Sequence, residues 1–213
     1  MIRRLFTPLW RSLPAATVFA LHLITAPSLV HANDRMIAGI ATPEQIQLAD
    51  RSLALNGAGI RFRGPFQVYV AALYAGKKAT GFDELLADPN PKRLKLVMLR
   101  EIDSADLGRL FINGIQKNMS PNEGRQFMMD LPRMGELFAR HKRLQPGEDV
   151  TMDWIPAIGL QISVKGVPQG EPIRSPAFFK ALLSIWLGPD PADPQLKMAL
   201  LGSNRPVAEK GRR

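Results

Sequence analysis

The chain has 213 residues, with 28 Lys and Arg against 19 Asp and Glu, three histidines and no cysteine. Its formal charge of +9 divides into +3 on residues 1–32, +3 on residues 204–213 and only +3 on the long segment between. A nucleic-acid-binding domain shows its excess charge as a stripe on the folded part, so this distribution argues against that class. The absence of cysteine excludes disulfides, thiolate metal sites, a cysteine nucleophile and lipidated cysteine.

Residues 1–32 have the pattern of a signal peptide. Arg3, Arg4 and Arg11 precede an apolar run from Leu13 to Val30, and Val30-His31-Ala32 makes a small-x-small cleavage site before Asn33. The alternative is an uncleaved anchor, because the run approaches the length that spans a bilayer; Pro14, His22 and Pro27 interrupt it. Arg3-Arg4-Leu5-Phe6 is a partial match to a twin-arginine signal, which leaves the export route open. The expectation is a bacterial protein exported to the periplasm, an oxidising compartment in which a cysteine-free chain avoids stray disulfides. At the other end, residues 204–213 carry four cations and no apolar periodicity, the composition of a flexible tail. Membrane contact is expected only through the signal or this basic tail. Residues 33–203 between them, 46% hydrophobic and 22% charged on the composition of the whole chain, suffice for one domain.

Within that domain, Ile46 to Arg63 alternates, with Leu53 and Leu55 on one parity and Ile60 and Phe62 on the other. Asn56-Gly57-Ala58-Gly59 between them predicts two strand pieces around a bulge or tight turn. Phe66–Tyr74 reads as a strand, Gly81–Ala87 as a short helix and Arg93–Arg100 as a largely buried strand. Asp103 is placed to cap a helix carrying Leu107, Leu110, Phe111 and Ile115. Ser120-Pro121-Asn122-Glu123 signals another helix start, followed by Phe127, Met128, Leu131, Met134, Leu137 and Phe138, with Pro132 expected to kink or split it. Val150–Trp154 and Leu160–Lys165 form a strand pair joined through Pro156-Ala157-Ile158-Gly159. Ser175-Pro176 opens a helix that buries Phe178, Phe179, Leu182, Leu183 and Trp186 and stops at Gly188-Pro189; Asp193–Leu201 is a last short helix. Strands, helices, strands and helices without β-α-β alternation make an α+β domain with a mainly antiparallel sheet.

Few catalytic devices are present. His141, inside Arg140-His141-Lys142-Arg143, reads as a surface histidine whose cationic neighbours disfavour protonation and metal binding. Carboxylates do not cluster at ligand spacing, so neither a metal nor a cofactor is expected. Gly57-Ala58-Gly59 begins like a dinucleotide loop, but Phe62 stands where the third glycine belongs and no helix follows. Glu101, Asp103 and Asp106 read as helix-start acids. Met98, Met128, Met129 and Met134 serve either as core filler or as an adaptable pocket lining. Arg61 lies between Ile60 and Phe62, so it points to the opposite face together with Arg63. The two are either cations on a solvated sheet face or, if helices cover that face, Arg61 is a bidentate receptor for a carboxylate or phenolate. Tyr69 on the next strand adds a hydroxyl.

Leu55-Asn56-Gly57-Ala58-Gly59-Ile60-Arg61 and Val68-Tyr69-Val70-Ala71-Ala72-Leu73-Tyr74 resemble the opening motif of the chalcone isomerase superfamily, most closely its bacterial exported chalcone isomerase-like branch. Lys92–Leu96, Leu99–Ile102, Ala177–Gly188 and Pro194–Gly202 extend the resemblance over about residues 45–202. It implies an open-faced sandwich: a large antiparallel sheet, a helical layer and a ligand cleft between them. The plant enzymes' catalytic arginine matches Arg61 and their threonine falls on Tyr69. Their tyrosine falls near Leu107, which has no hydroxyl, their asparagine near Asn113 or Gly114, and a late Ser/Thr position near Ser184 or Ile185. Two functions are compatible with this pattern. One is binding of a small apolar anion, fatty-acid-like, by Arg61, Tyr69, Asn113 and Ser184; the other is catalysis by Arg61 and Tyr69 in an intramolecular lyase that cyclises a chalcone-like enone. A third possibility is an interaction module in which Arg61 is a solvated charge.

Overall fold

In a computed structural model, residues 34–120, 127 and 130–202 are described; the expected signal peptide, the basic residues 204–213 and the Pro121 helix start lie outside them. Strand β1 (Arg35–Ile37) pairs with β2 (Ile40–Thr42) as a small separate ribbon. The main sheet comprises β3 (Gln45–Leu48), β4 (Arg51–Arg63), β5 (Phe66–Ala75), β6 (Lys92–Met98), β9 (Asp149–Ile155), β10 (Gly159–Val164) and β11 (Val167–Pro168). Its order is β11-β10-β9-β6-β5-β4-β3, every neighbouring pair antiparallel. A two-residue pair, β7 (Ile102–Asp103) with β8 (Arg143–Leu144), ties the helical layer together at its edge.

The helices are α1 (Phe82–Ala87), α2 (Ser104–Lys117), α3 (Asp130–Ala139), α4 (Pro176–Leu187) and α5 (Pro194–Leu200). Their starts follow local chemistry. The Asp103 side chain accepts from Asp106 N at 3.0 Å, the Ser175 hydroxyl from Phe178 N at 3.1 Å, and Asp193 from Gln195 N at 2.9 Å. Proline in the first turns of α4 and α5 removes only N–H groups that have no helical partner. Pro132 falls in the first turn of α3 on the same principle.

Alternation along β5 separates two apolar faces. Ala71, Leu73 and Ala75 join Leu94, Leu96, Met98, Val150 and Met152 under the helices, where Phe111, Phe138, Phe178 and Trp186 complete the main core. Phe111 sits edge-on to both Phe138 and Trp186, each at 5.2 Å between ring centres. Ala72 and Tyr74 face the other way and pack with Leu48, Leu53 and Leu55 in a smaller cluster.

Of the bulge or tight turn expected at residues 56–59, the structure has the bulge, and the separation into two strands lies elsewhere. The break falls at Ala49-Asp50, where Ala49 takes a left-handed φ of 51°, and β4 then runs unbroken through the glycines. Asn56 is a bulge rather than a turn: Leu55 pairs with Tyr74 but Gly57 with Leu73, so one residue of β4 is extra. That extra residue inverts the parity of everything beyond it. Leu53 and Leu55 face the small cluster, whereas Gly57, Gly59 and Arg61 face the helices. The bulge is held from three sides. Asn56 donates to Ala79 O at 3.0 Å and Leu200 O at 2.7 Å and accepts from Ala79 N at 2.7 Å. Lys78 Nζ adds bonds to the Leu55 and Asn56 carbonyls.

The glycines make room for α5. A Cβ on Gly57 would lie 2.0 Å from Ala199 O, and one on Gly59 2.8 Å from Ala199 Cβ. Only bare backbone permits this helix to rest on the strand.

Candidate functional site

Beyond the glycines, a cleft of about 630 Å3 lies between β4, β5 and the helices. Val68, Tyr69 and Arg61 come from the strands, Leu107, Phe111, Asn113 and Gly114 from α2, and Ile185 from α4; Asp190, Pro191 and Ala192 close one side. Arg61 and Tyr69 are directly paired across the two strands. The next pair, Phe62 with Gln67, shows that Val68 is an extra residue in β5, a second bulge at the cleft itself.

Arg61 is neither solvated nor free. Its side chain is 22% exposed, and Nη1 lies 3.5 Å from Asp193 Oδ2. Asp193 divides its oxygens: Oδ1 caps α5, while Oδ2 also accepts from Phe62 N at 3.2 Å. One carboxylate thus joins the start of α5 to the end of β4 and holds the guanidinium beside Tyr69. The carboxylate contact is single and long, and with a further interaction directed at the Tyr69 oxygen the arginine still keeps donors unspent.

Tyr69 is 5% exposed, and its hydroxyl oxygen accepts from Trp186 Nε1 at 2.9 Å. Burial pushes this hydroxyl up to about 12, outweighing the lowering from the Trp186 hydrogen bond and from the Arg61 charge. At neutral pH Tyr69 is therefore an un-ionised hydroxyl.

Charge lies at the rim. Glu101 pairs with Arg143 at 2.7 Å and accepts from Gln145 at 2.8 Å; Asp106 pairs with Arg109, and Asp190 approaches Lys117 at 3.9 Å. Arg63 and Arg100, which also line the cleft, have no carboxylate within ion-pair distance among the described residues. Arg100 instead lies 5.2 Å from the centre of the exposed Phe66 ring.

The four residues expected from the sequence divide accordingly. Arg61 and Tyr69 lie together in the inner wall; Asn113 lines the cleft but is exposed. Ser184 does not line it: its hydroxyl is buried and donates to Ala181 O at 2.6 Å, one turn back on its own helix. Ile185 takes the place instead. Leu107 presents an apolar side chain to the cleft. Met98 and Met134 are fully buried core residues outside the cleft wall, and Met128 and Met129 lie outside the described residues.

The surface reading of His141 needs correction. The residue is half-buried, and its Nε2 and the Ser104 hydroxyl are buried without a hydrogen-bond partner. Among the described residues no group of three or more His, Asp or Glu is arranged for a metal, and no helix is long and apolar enough to cross a membrane.

Asp193 and Trp186 are the site residues that local reading passes over. Asp193 has a visible signal as a helix cap and Trp186 as a core position, but neither pattern contains its partner, 132 and 117 residues away.

The chalcone isomerase-like family model matches residues 34–202, and the chain belongs to that family. Its fold is also that of an Arabidopsis thaliana fatty-acid binding protein of known crystal structure, with a TM-score of 0.63 and 14% sequence identity. That likeness covers 80% of this chain and 97% of the other. No curated protein matches the sequence significantly.

Proposed function

We propose that this protein binds a small apolar carboxylate or phenolate, fatty-acid-like, with its head on Arg61 and Tyr69 and its body along Val68, Leu107, Phe111 and Ile185. The observation that carries this reading is the arginine with unspent donors beside Tyr69, next to the apolar side chains of Val68, Leu107, Phe111 and Ile185. A planar guanidinium accepts a carboxylate through two parallel bonds, and low local polarity strengthens them. The Asp193 contact offsets part of the positive charge, which suits a monoanion better than a dianion. The fatty-acid binding protein of the same fold supports the ligand class. The cleft volume of about 630 Å3 is in the usual range for small-molecule sites.

The test is calorimetric titration with saturated acids of increasing length and with aromatic acids. Arg61→Ala should weaken the best ligand about tenfold or more, the scale of a charge-assisted bond; unchanged affinity would remove Arg61 as the anchor. We also infer export to the periplasm, on the basic start and apolar run of residues 1–32. Amino-terminal sequencing of the protein from a periplasmic fraction should begin at Asn33; an intact Met1 would contradict cleavage.

A further inference from the structure

Trp186 is placed where it determines which way the Tyr69 hydroxyl points. An indole N–H donates and never accepts, so at 2.9 Å the Tyr69 oxygen must be the acceptor. The hydroxyl's single hydrogen is then free to be given elsewhere, and no described residue accepts it. The arrangement is rigid, since Trp186 is 1% exposed and its ring is wedged edge-on against Phe111. Tyr69 lines the cleft, whereas Asp193 is absent from its wall. Arg61 and Tyr69, paired across β4 and β5 at the head of the cleft, therefore both present hydrogen.

We propose that Trp186 is a positioning residue that makes the head site donor-only, and thereby selects an ionised acid over an alcohol of the same chain length. The inference rests on the acid-binding reading of the cleft and adds its source of discrimination. An ionised carboxylate has only acceptors to offer and matches both donors. An alcohol brings a hydrogen for which the Arg61–Tyr69 pair has no acceptor, and sites built on fixed hydrogen-bond polarity reject such mismatches. Without the indole N–H, the Tyr69 hydroxyl is free to turn and accept.

The experiment measures dodecanoate and dodecanol binding to wild type, Trp186→Phe, Tyr69→Phe and the double variant, with folding checked by circular dichroism. The acid-to-alcohol affinity ratio should fall about tenfold in Trp186→Phe, the scale of one hydrogen bond to a charged group. It should fall in Tyr69→Phe as well, and adding Trp186→Phe to that variant should change it little. An unchanged ratio in folded Trp186→Phe, or an equal further fall on the Tyr69→Phe background, would overturn the positioning role while leaving the acid-binding reading intact. Failure of wild type to bind either compound would overturn both. Should Trp186→Phe not fold, nuclear magnetic resonance of the wild-type indole N–H decides the matter. Its signal should keep slow exchange in the dodecanoate complex and lose it in Tyr69→Phe; fast exchange in the complex would overturn the proposal.

Discussion

Arg61 and Tyr69 meet across neighbouring strands, yet each is defined by a third residue. Asp193 restrains the guanidinium, and Trp186 takes the phenol oxygen. Replacing Tyr69 by Phe leaves the Trp186 N–H buried without a partner, a loss of about 1–3 kcal/mol. Urea unfolding at neutral pH should show that loss. The same hydroxyl gives an alkaline signature. Burial raises both Tyr69 and Tyr74 from 10.0 to about 12. The unfolded chain releases these protons near pH 10 while the fold retains them, so the native state binds more protons in that interval. This contribution to stability is complete below pH 10 and declines as pH rises toward 12. Urea midpoints between pH 8 and pH 11 should therefore fall less steeply in Tyr69→Phe than in wild type.

At the scale of elements, β4 shows a motif with two readings, bulge or turn, between which only strand pairing decides. Asn and Gly are turn-forming residues, so Asn56-Gly57-Ala58-Gly59 suggests an interruption, whereas the chain turns at Ala49-Asp50, where alanine gives no local warning. The Asn56 side chain is spent on the bulge, and the glycines admit α5. Gly57→Ala should cost about 2–3 kcal/mol, because its methyl group meets the Ala199 carbonyl and the helix must move. Asn56→Ala should cost about 3 kcal/mol or more, since it strips partners from three buried backbone groups. Thermal unfolding of the two variants checks both values. Ser175→Ala, which removes only a cap, should cost about 1 kcal/mol. The capping positions themselves were legible from the sequence, because a cap and its amides lie within three residues of each other.

For the whole molecule, ligand occupancy should be readable as stability, since one continuous core joins the sheet to α2 and α4 around the cleft. A ligand at about a hundred times its dissociation constant adds about 2.7 kcal/mol, a rise in Tm of about 5–10 °C for a domain of this size. Differential scanning fluorimetry should show that rise with a fatty acid and its loss in Arg61→Ala. The net charge matters less than it first suggests, since the segment between the two ends carries only +3. Local pattern by itself determined the order of the longer strands and helices, the caps and the α+β class, but not the two- and three-residue strands β1, β2, β7, β8 and β11. Periodicity and short-range hydrogen bonds depend on residues that are neighbours in the chain. The side of the sheet that Arg61 faces was decided only by the tertiary structure: the change of parity between Leu55 and Ile60 fits a bulge or a turn, and the strand pairing makes it a one-residue bulge. Tertiary contacts likewise supplied Asp193 and Trp186, from 132 and 117 residues away, because antiparallel pairing and helix packing bring together groups that share no local signal.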